Sequence, residues 1–327
     1  MKLATLKDQN SRDGKLVVVS SDNKKAVTVP QVSENLIKAL ENWDQNKAKL
    51  EEVSKKLNSQ EVDKEFELDQ DKLHSPLPRA WQWLDGSAFI HHIKLVRMAR
   101  NADLPETLES VPLMYQGCSD NFLAPTEDIP QVDFSHGTDF EGEVGVILKD
   151  TPMGTKADKA LDYVALIVLI NDVSLRGLIP AELKQGFGFM QSKPASSFGP
   201  IAVTPDELGD SWKDGRVELP LNVEYNGSFF GKANGKEMFF NFAKLIEHAA
   251  KTRDLSSGTI IGSGTVSNED TNMGSSCLAE KRMLEKINDG EFKTPFMKAG
   301  DRVYMEMFDH KGVSLFGKID QKVVKKS

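Results

Sequence analysis

The chain has 327 residues, of which 39% are hydrophobic and 28% are charged, and its formal net charge is −8 at neutral pH. This is the composition of an ordinary folded protein, long enough for one large domain and one small one. The acidic balance argues against a nucleic-acid or membrane partner, since such surfaces need clustered lysine and arginine. The one basic run, residues 322–326, is expected to be a solvated tail.

Cysteine usage and the lack of long apolar segments indicate a cytoplasmic protein. Cys118 and Cys277 have no metal-ligand spacing, which is typical of free thiols in a reducing compartment. The first residues lack the apolar core of a secretion signal. The longest apolar stretch, residues 163–170, is too short to span a bilayer.

The N-terminal part predicts a small α+β unit. Short strands are predicted at residues 16–20 and 26–30. A helix is predicted over residues 33–57, because apolar residues recur there at helical spacing.

A linker is predicted after this unit. Residues 66–81 contain Pro76 and Pro78, and each proline removes a backbone donor and disfavours helix in the residue before it. We therefore expect an accessory domain at residues 1–75 and a second domain at residues 76–327.

The second domain is dominated by strand signals. Helices are predicted only at residues 88–101 and 240–253. Strands are predicted at residues 140–148, 163–170, 198–203, 217–232 with an Asn-Gly hairpin turn, 258–264, 301–309 and 312–320. The expected fold is mixed α/β and β-rich, a mixed β-sandwich or rolled barrel.

Two glutamates alternate in the predicted strand FEGEVGVIL. Side chains two apart on a strand point to the same face, so Glu141 and Glu143 address one spot. Asp172, at the end of a later apolar strand, can add a third carboxylate there. Such carboxylates share a proton or hold a cation, and all-oxygen ligands favour Mg²⁺, Ca²⁺ or Mn²⁺ over Zn²⁺. The alternative is an edge strand with a solvated acidic face.

Asp85 and His92 lie at the predicted helix of residues 88–101. Their spacing of seven residues puts both on one side of a helix. If Asp85 reaches the same cation, His92 is placed to act as a base on a neighbouring water. The alternative is that Asp85 is a polar group at the start of the helix and that His92 is a hydrogen-bonded surface residue.

Several other residues have ordinary surface roles when each is taken alone. Lys193 lies among small residues before a strand, Arg176 ends the segment INDVSLR, and Glu280 lies in GSSCLAEKR. The loop GSGTVSN places two glycines before Thr265, which lets backbone amides and a hydroxyl approach a ligand closely. It lacks the third glycine of a dinucleotide fingerprint, and the sequence contains no nucleophile elbow or zinc cluster.

Taken in order, these segments resemble the fumarylacetoacetate hydrolase family from about Leu77 to the C-terminus. The matching motifs are D-x6-H from Asp85, YQG at Tyr115, FEGEVGVIL, INDVSLR, SK followed by SFGP, GSGTVSN and GSSCLAE. Residues 1–75 are similar to the small accessory domain of one bacterial branch of this family. The resemblance implies a fumarylacetoacetase-like mixed β-sandwich roll that forms a homodimer.

The resemblance also implies a role for each matching residue. Four carboxylates would hold a divalent metal, Mg²⁺ or Ca²⁺ with Mn²⁺ as a third choice: Asp85, Glu141, Glu143 and Asp172. The catalytic groups would be His92, which activates water and is oriented by Glu280, and Lys193 with Arg176, which stabilise negative charge on the departing fragment. The substrate would be contacted by Tyr115, Ser197 and Thr265.

The implied reaction is metal-dependent hydrolysis of a C–C bond in a small β-diketo acid, with fumarylacetoacetate as the leading candidate. Val173 and Ile179 depart from the animal fumarylacetoacetases, which have Trp and Gln there, so the diketo acid stays open. The alternatives are an acylpyruvate hydrolase, a decarboxylase, isomerase or dehydratase acting on a 2-oxo acid, and a non-enzymatic protein whose carboxylates hold a structural ion.

Overall fold

The computed structural model describes residues 1–98, 103–104 and 106–326. Its α-helices are α1 (Leu36–Glu41), α2 (Trp43–Asn58), α3 (Ile90–Met98), α4 (Ala157–Ala160), α5 (Ile179–Gln185), α6 (Phe242–Ala249) and α7 (Leu278–Asp289). Its strands are β1 (Lys2–Asp8), β2 (Ser11–Val19), β3 (Lys25–Thr28), β4 (Phe66–Glu67), β5 (Leu73–His74), β6 (Trp83–Gly86), β7 (Met114–Gln116), β8 (Ile129–Gln131), β9 (Thr138–Asp139), β10 (Gly142–Leu148), β11 (Val164–Asn171), β12 (Ser174–Leu175), β13 (Ser197–Phe198), β14 (Ile201–Val203), β15 (Trp212–Lys213), β16 (Arg216–Val217), β17 (Pro220–Tyr225), β18 (Ser228–Asn234), β19 (Ile260–Gly262), β20 (Arg302–Met307) and β21 (Ile319–Lys325).

The larger sheet has twelve strands and contains the most buried segments of the chain. Ten strands follow in the order β4-β3-β2-β1-β14-β11-β10-β19-β6-β7, while β5 lies beside β1 and β13 beside β11. Strands β10 and β11 are buried along their whole length, and their sequences are almost continuously apolar because both faces are covered. Glu143 is the one charged residue within these two strands.

The smaller sheet has five strands in the order β18-β17-β20-β21-β8, and β17 packs against β10. A Cβ atom on Gly142 would lie 2.8 Å from the Leu221 side chain, so glycine allows this close approach. The predicted hairpin turn is confirmed, because Asn226 and Gly227 both have positive φ angles, 52° and 75°. The β-rich mixed sandwich expected from the sequence is also confirmed.

The N-terminal strands extend the larger sheet. Strand β1 pairs with β2 on one side and with β14 on the other, where Leu3 lies opposite Ala202. The helix predicted over residues 33–57 is two helices, α1 and α2, which meet at Asn42. Because one sheet joins both parts of the chain, the domain division at residues 75 and 76 stays a prediction.

The expectation of a solvated basic tail is wrong. Residues 322–325 belong to β21, an inner strand of the five-stranded sheet. Gln321 and Val323 are fully buried while Lys322 between them is exposed, so Lys322 occupies the outer face of an alternating strand. The strand predicted at residues 312–320 begins only at Ile319.

The helix predictions also need correction. The sequence did not indicate α4, α5 or α7, and α7 carries Glu280. The helix predicted at residues 88–101 begins at Ile90 and is described as far as Met98, and residues 99–101 lie outside the described part of the chain. Within the described ranges, no helix combines the length and the apolar character needed to cross a membrane.

Candidate active site

A cavity of about 460 Å³ collects most of the predicted site residues. It is lined by side chains from β6, β7, β10, α3 and α5. Eight predicted site residues line it: Asp85, His92, Tyr115, Glu141, Glu143, Arg176, Lys193 and Thr265. Asp172 and Glu280 lie directly behind the lining and bond to Lys193 and His92.

Asp85 is held in place by two glycines. It lies on strand β6, which runs parallel to β19, and it is opposite Gly262 in the register. A Cβ atom on Gly262 would lie 2.4 Å from Asp85 Oδ1, so only glycine fits there. The N–H of Gly264, which has a φ of 75°, donates to the same oxygen at 3.1 Å. The helical spacing expected for Asp85 and His92 is therefore wrong, because Asp85 belongs to a strand.

Three carboxylates converge beside the cavity in a geometry that suits a cation. One oxygen from each of Asp85, Glu143 and Asp172 lies within 4.8 Å of the others, and all three residues are buried. Both carboxylate oxygens of Glu143 are buried without a hydrogen-bond partner in the described residues. Buried charged groups are normally paired or bound to a metal. The three residues therefore fit a hard divalent cation.

Glu141 stands beside this group rather than within it. It lies just before β10, and its backbone bridges to Cys277. Its carboxylate accepts a hydrogen bond from Arg176 Nη2 at 2.6 Å and one from Lys193 Nζ at 2.5 Å. Burial would raise the pKa of Glu141, but Arg176 and Lys193 outweigh it and hold the pKa well below its usual range. Glu141 does not belong to the group formed by Asp85, Glu143 and Asp172, and the sequence expectation that it is a direct metal ligand stays a prediction.

Asp172 is fixed by three donors. Its Oδ2 accepts from Lys193 Nζ at 2.5 Å and from the Tyr115 hydroxyl at 2.6 Å, and its Oδ1 accepts from Ser196 Oγ at 2.7 Å. Burial lowers the affinity of Lys193 for its proton, but Asp172 and Glu141 reverse the effect and raise its pKa above the ordinary value. These contacts favour the charged ammonium form of Lys193 in the cavity.

The remaining carboxylates lack such compensation. Burial, followed by repulsion from Asp172, raises the pKa of Asp85 well above its usual value. Burial, followed by repulsion from Asp85 and Asp172, does the same to Glu143. No lysine or arginine in the described chain pairs with Asp85 or Glu143, whereas Glu141 and Asp172 both contact Lys193. A divalent cation would supply the charge that this pair lacks.

The His92–Glu280 pair expected from the family resemblance is present. His92 Nδ1 lies 2.9 Å from Glu280 Oε2, and both side chains are buried. Glu280 is the third residue of α7, and helices α3 and α7 pack against each other. An ionised Glu280 would accept a hydrogen bond from Nδ1–H, and in that tautomer Nε2 is free to accept a proton.

Ser197 lies apart from the cavity. Its hydroxyl donates to Gln321 Oε1 at 2.7 Å, and the residue is fully buried on β13. The neighbouring Ser196 is the serine that reaches the site, through Asp172. An alternating strand points the two serines in opposite directions, and the sequence does not indicate which of them faces the site.

Sequence reasoning did not indicate Phe189 and Asp139, and it set Arg97 aside because this residue lies out of register with the arginine that contacts substrate in the family. Arg97 and Phe189 line the cavity, and Asp139 bonds to Arg176 at 2.8 Å. The alternation that connects Glu141 and Glu143 extends back to Asp139 and could have revealed it. Phe189 comes from a glycine-flanked loop and packs edge-on against Tyr115, with 5.3 Å between ring centroids.

Comparison with protein families accounts for nearly the whole chain. The model "Fumarylacetoacetate (FAA) hydrolase C-terminal" matches residues 82–324, and "Fumarylacetoacetase N-terminal domain 2" matches residues 1–79. The chain belongs to the fumarylacetoacetate hydrolase family. The match at residues 1–79 agrees with the sequence prediction of a family member that has a small N-terminal domain.

Individual relatives of this fumarylacetoacetate hydrolase family member differ in their named activities. The chain is 31% identical over 170 residues to 2,4-didehydro-3-deoxy-L-rhamnonate hydrolase of Sphingomonas sp. (strain SKA58), which covers 51% of this chain and 56% of that protein. The match thus spans little more than half of that relative. Identity to oxaloacetate tautomerase YisK of Bacillus subtilis (strain 168) is 24% over 261 residues, 78% of this chain and 83% of the relative.

A solved structure of the family shares the fold along the whole chain. It is maleylpyruvate hydrolase from Sphingobium sp. SYK-6 in complex with manganese(II) ion and pyruvate, with a TM-score of 0.66, 15% identity and full coverage of both chains. At this identity the likeness shows the fold alone.

Proposed function

We propose that the chain is a metal-dependent enzyme that hydrolyses a C–C bond in a small β-diketo acid. The proposal depends on one observation: the His92–Glu280 pair, the Lys193 ammonium and the three-carboxylate group meet at one cavity. The carboxylates can hold a cation, His92 can activate water, and Lys193 can stabilise negative charge. Hydrolysis of a diketone needs these three functions together.

The proposed cofactor is Mg²⁺ or Ca²⁺, with Mn²⁺ as a third choice. Asp85, Glu143 and Asp172 would hold the ion, with Glu141 close by. When bound, the ion supplies a Lewis acid that polarises the carbonyl under attack. The manganese in the related maleylpyruvate hydrolase supports a divalent ion in this family.

His92 would act as the general base toward water. Glu280 holds the Nδ1 proton, so the ring presents Nε2 to the cavity, and the ionised Glu280 stabilises the imidazolium that forms. The protonated ring can then return its proton to the leaving carbon fragment. No side chain needs to form a covalent bond with the substrate.

Lys193 would stabilise the negative charge that develops on the departing fragment. Its ammonium is fixed between Glu141 and Asp172 and lies 5.2 Å from the centre of the Tyr115 ring. Because these contacts already hold it in place, little reorganisation is needed when charge develops. Arg176, Tyr115 and Thr265 line the same cavity and are the further polar groups proposed to contact substrate.

The substrates to test first are fumarylacetoacetate and the acylpyruvates. The purified protein is stripped of metal, resupplied with Mg²⁺, Ca²⁺ or Mn²⁺, and assayed by the loss of diketone absorbance. Hydrolysis in ¹⁸O-water should place one solvent oxygen in the new carboxylate. Absence of turnover on all these acids at saturating metal would contradict the proposal. The proposed homodimer is tested on the same sample by light scattering.

Tautomerisation of a 2-oxo acid is the second candidate. It is favoured by the relative that shares 78% of this chain's length, which is named an oxaloacetate tautomerase. A tautomerase moves a proton between carbon and oxygen and has no use for an activated water. The two reactions can be distinguished by their products in deuterated water. Tautomerisation exchanges a C–H proton with solvent deuterium and leaves the carbon skeleton intact, whereas hydrolysis cleaves a C–C bond.

A further inference from the structure

Asp139 is a buried carboxylate that the proposed reaction does not use. It lies on the short strand β9, and both of its oxygens have partners. Oδ1 accepts from the Leu278 N–H at 2.7 Å, while Oδ2 accepts from the Ala279 N–H at 2.9 Å and from Arg176 Nε at 2.8 Å. One carboxylate thus joins the first turn of α7 to Arg176.

On the helix side, Asp139 determines where α7 begins. The first N–H groups of a helix have no partner within the helix and carry a partial positive charge, which a carboxylate satisfies. Asp139 takes the first two of these groups, and Cys277 Sγ accepts the third, the Glu280 N–H, at 3.3 Å. Glu280 lies in this first turn, so its position relative to His92 depends on the same contacts.

On the other side, Asp139 orients Arg176. The guanidinium donates through Nε to Asp139 and through Nη2 to Glu141 at 2.6 Å. Because the guanidinium is planar and rigid, fixing Nε also fixes Nη2. Glu141 in turn contacts Lys193.

We propose that Asp139 is a positioning residue that holds Glu280 against His92 through α7 and holds Glu141 through Arg176. Asp139 would thereby fix the position of the His92–Glu280 pair relative to Glu141 at the proposed metal site. The effect of Asp139 on catalysis rests on the proposed function, but its effect on the position of His92 can be measured without substrate.

The test is Asp139→Asn in the full-length protein. Asparagine has the same shape but only one acceptor oxygen, so it cannot serve Leu278, Ala279 and Arg176 together. In ¹⁵N-histidine-labelled protein, the downfield proton resonance of His92 Nδ1–H should shift or disappear. The kcat should fall about 10- to 100-fold, as for other residues that orient a catalytic group, with little change in KM.

Asp301→Asn is the matched control. Asp301 is also buried and accepts from three donors, the Tyr225 hydroxyl, Asn226 Nδ2 and the Lys298 N–H. It precedes β20 of the smaller sheet and does not line the cavity. Both substitutions should lower Tm, because each removes a buried hydrogen bond. In Asp301→Asn, however, the His92 resonance and kcat should stay at wild-type values.

The outcomes separate the two proposals. An Asp139→Asn protein that loses stability but keeps the His92 resonance and kcat overturns the positioning role. If the wild-type protein turns over no diketo acid, the proposed function fails, and the His92 resonance still decides the role of Asp139. Should Asp139→Asn not fold, Asp139→Glu keeps the charge but moves both acceptor oxygens by one methylene group, and an unchanged His92 resonance in that variant overturns the proposal.

Discussion

The floor and the wall of the cavity are built from opposite kinds of side chain. The floor consists of Asp85, Glu141, Glu143, Arg176 and Lys193, and the wall of Ile93, Leu113, Ile179, Leu183 and Phe189. The floor is almost completely buried, whereas the wall reaches solvent at Leu113 and Leu183, which are 40% and 47% exposed.

This contrast shows where the chemistry and the selectivity are encoded. Each buried charge of the floor needs a partner, so a change in one residue disturbs several others. The wall offers apolar surface without hydrogen bonds to satisfy, and one residue there can be replaced at small cost. We therefore expect the floor to carry the proposed chemistry, and the wall, which includes Ile179, to select the substrate.

The largest effect is expected from Glu143→Gln, which changes a floor carboxylate whose two oxygens have no hydrogen-bond partner among the described residues. Metal-dependent activity should fall more than about 100-fold, and added Mg²⁺ or Mn²⁺ should no longer raise Tm. The metal-free variant should be more stable than wild type by at least about 1 kcal/mol, the free energy of one pKa unit, because repulsion with Asp85 is relieved. Calorimetry with and without metal measures both effects.

Glu306→Gln is the control for this change. Glu306 is also a buried glutamate, but it lies on β20 and pairs with Tyr304 outside the cavity. Its variant should keep the metal response of the wild type. A Glu143→Gln protein that binds the metals with unchanged affinity would show that the floor is not a metal site.

His92→Gln tests whether the floor needs a base beside it. Loss of a general base should lower kcat about 100- to 10,000-fold, while the affinity for metal stays the same. His91→Gln changes the preceding residue of α3, which does not line the cavity, and should leave kcat intact. Equal losses in both variants would indicate damage to α3 rather than removal of a base.

The pH dependence of stability provides a smaller effect with a definite sign. Burial raises the pKa values of Asp85 and Glu143 in the folded, metal-free protein. Repulsion adds to this effect, from Asp172 for Asp85 and from Asp85 and Asp172 for Glu143. A carboxyl with a higher pKa in the folded state binds its proton more tightly there, so its protonation stabilises the fold. The two groups should therefore increase the free energy of unfolding at pH values below their raised folded pKa values, and this contribution should be lost as the pH rises through those values.

Thermal unfolding as a function of pH, with chelator and then with saturating Mg²⁺, checks the sign. Bound metal should reduce the dependence of Tm on pH, because the ion then neutralises the carboxylates in place of protons. Glu143→Gln should also reduce this dependence. A metal-free protein that gains stability as the pH rises through the folded pKa values would contradict the uncompensated charge of the floor.

The smallest effect is expected in the wall. Phe189→Ala removes a ring that lines the cavity and packs on Tyr115, and an aromatic pair of this kind contributes about 0.5–1.5 kcal/mol. KM should rise up to about tenfold, and kcat should change little. Phe187→Ala, two residues away and fully exposed, should change neither constant. A large fall in kcat for Phe189→Ala would mean that the wall takes part in the chemistry.

Much of the site could be predicted from the sequence because its residues occur in short motifs with regular spacing. Glu141 and Glu143 alternate in one segment, and Asp172 ends a strand that pairs with β10. The partners could not be predicted in the same way. The sequence did not indicate that Arg176 pairs with Glu141 and Asp139, or that Ser196 rather than Ser197 reaches the site.

The sequence by itself determined the family, the β-rich fold and the set of acidic and basic groups, since residue type and local period are properties of short segments. Only the tertiary structure decided that Asp85 lies on a strand, that residues 322–325 form an inner strand, and which carboxylates are left without a cation. These features depend on the pairing of strands and side chains far apart in the chain. Burial then sets the charge of each group, and burial is a property of the folded molecule.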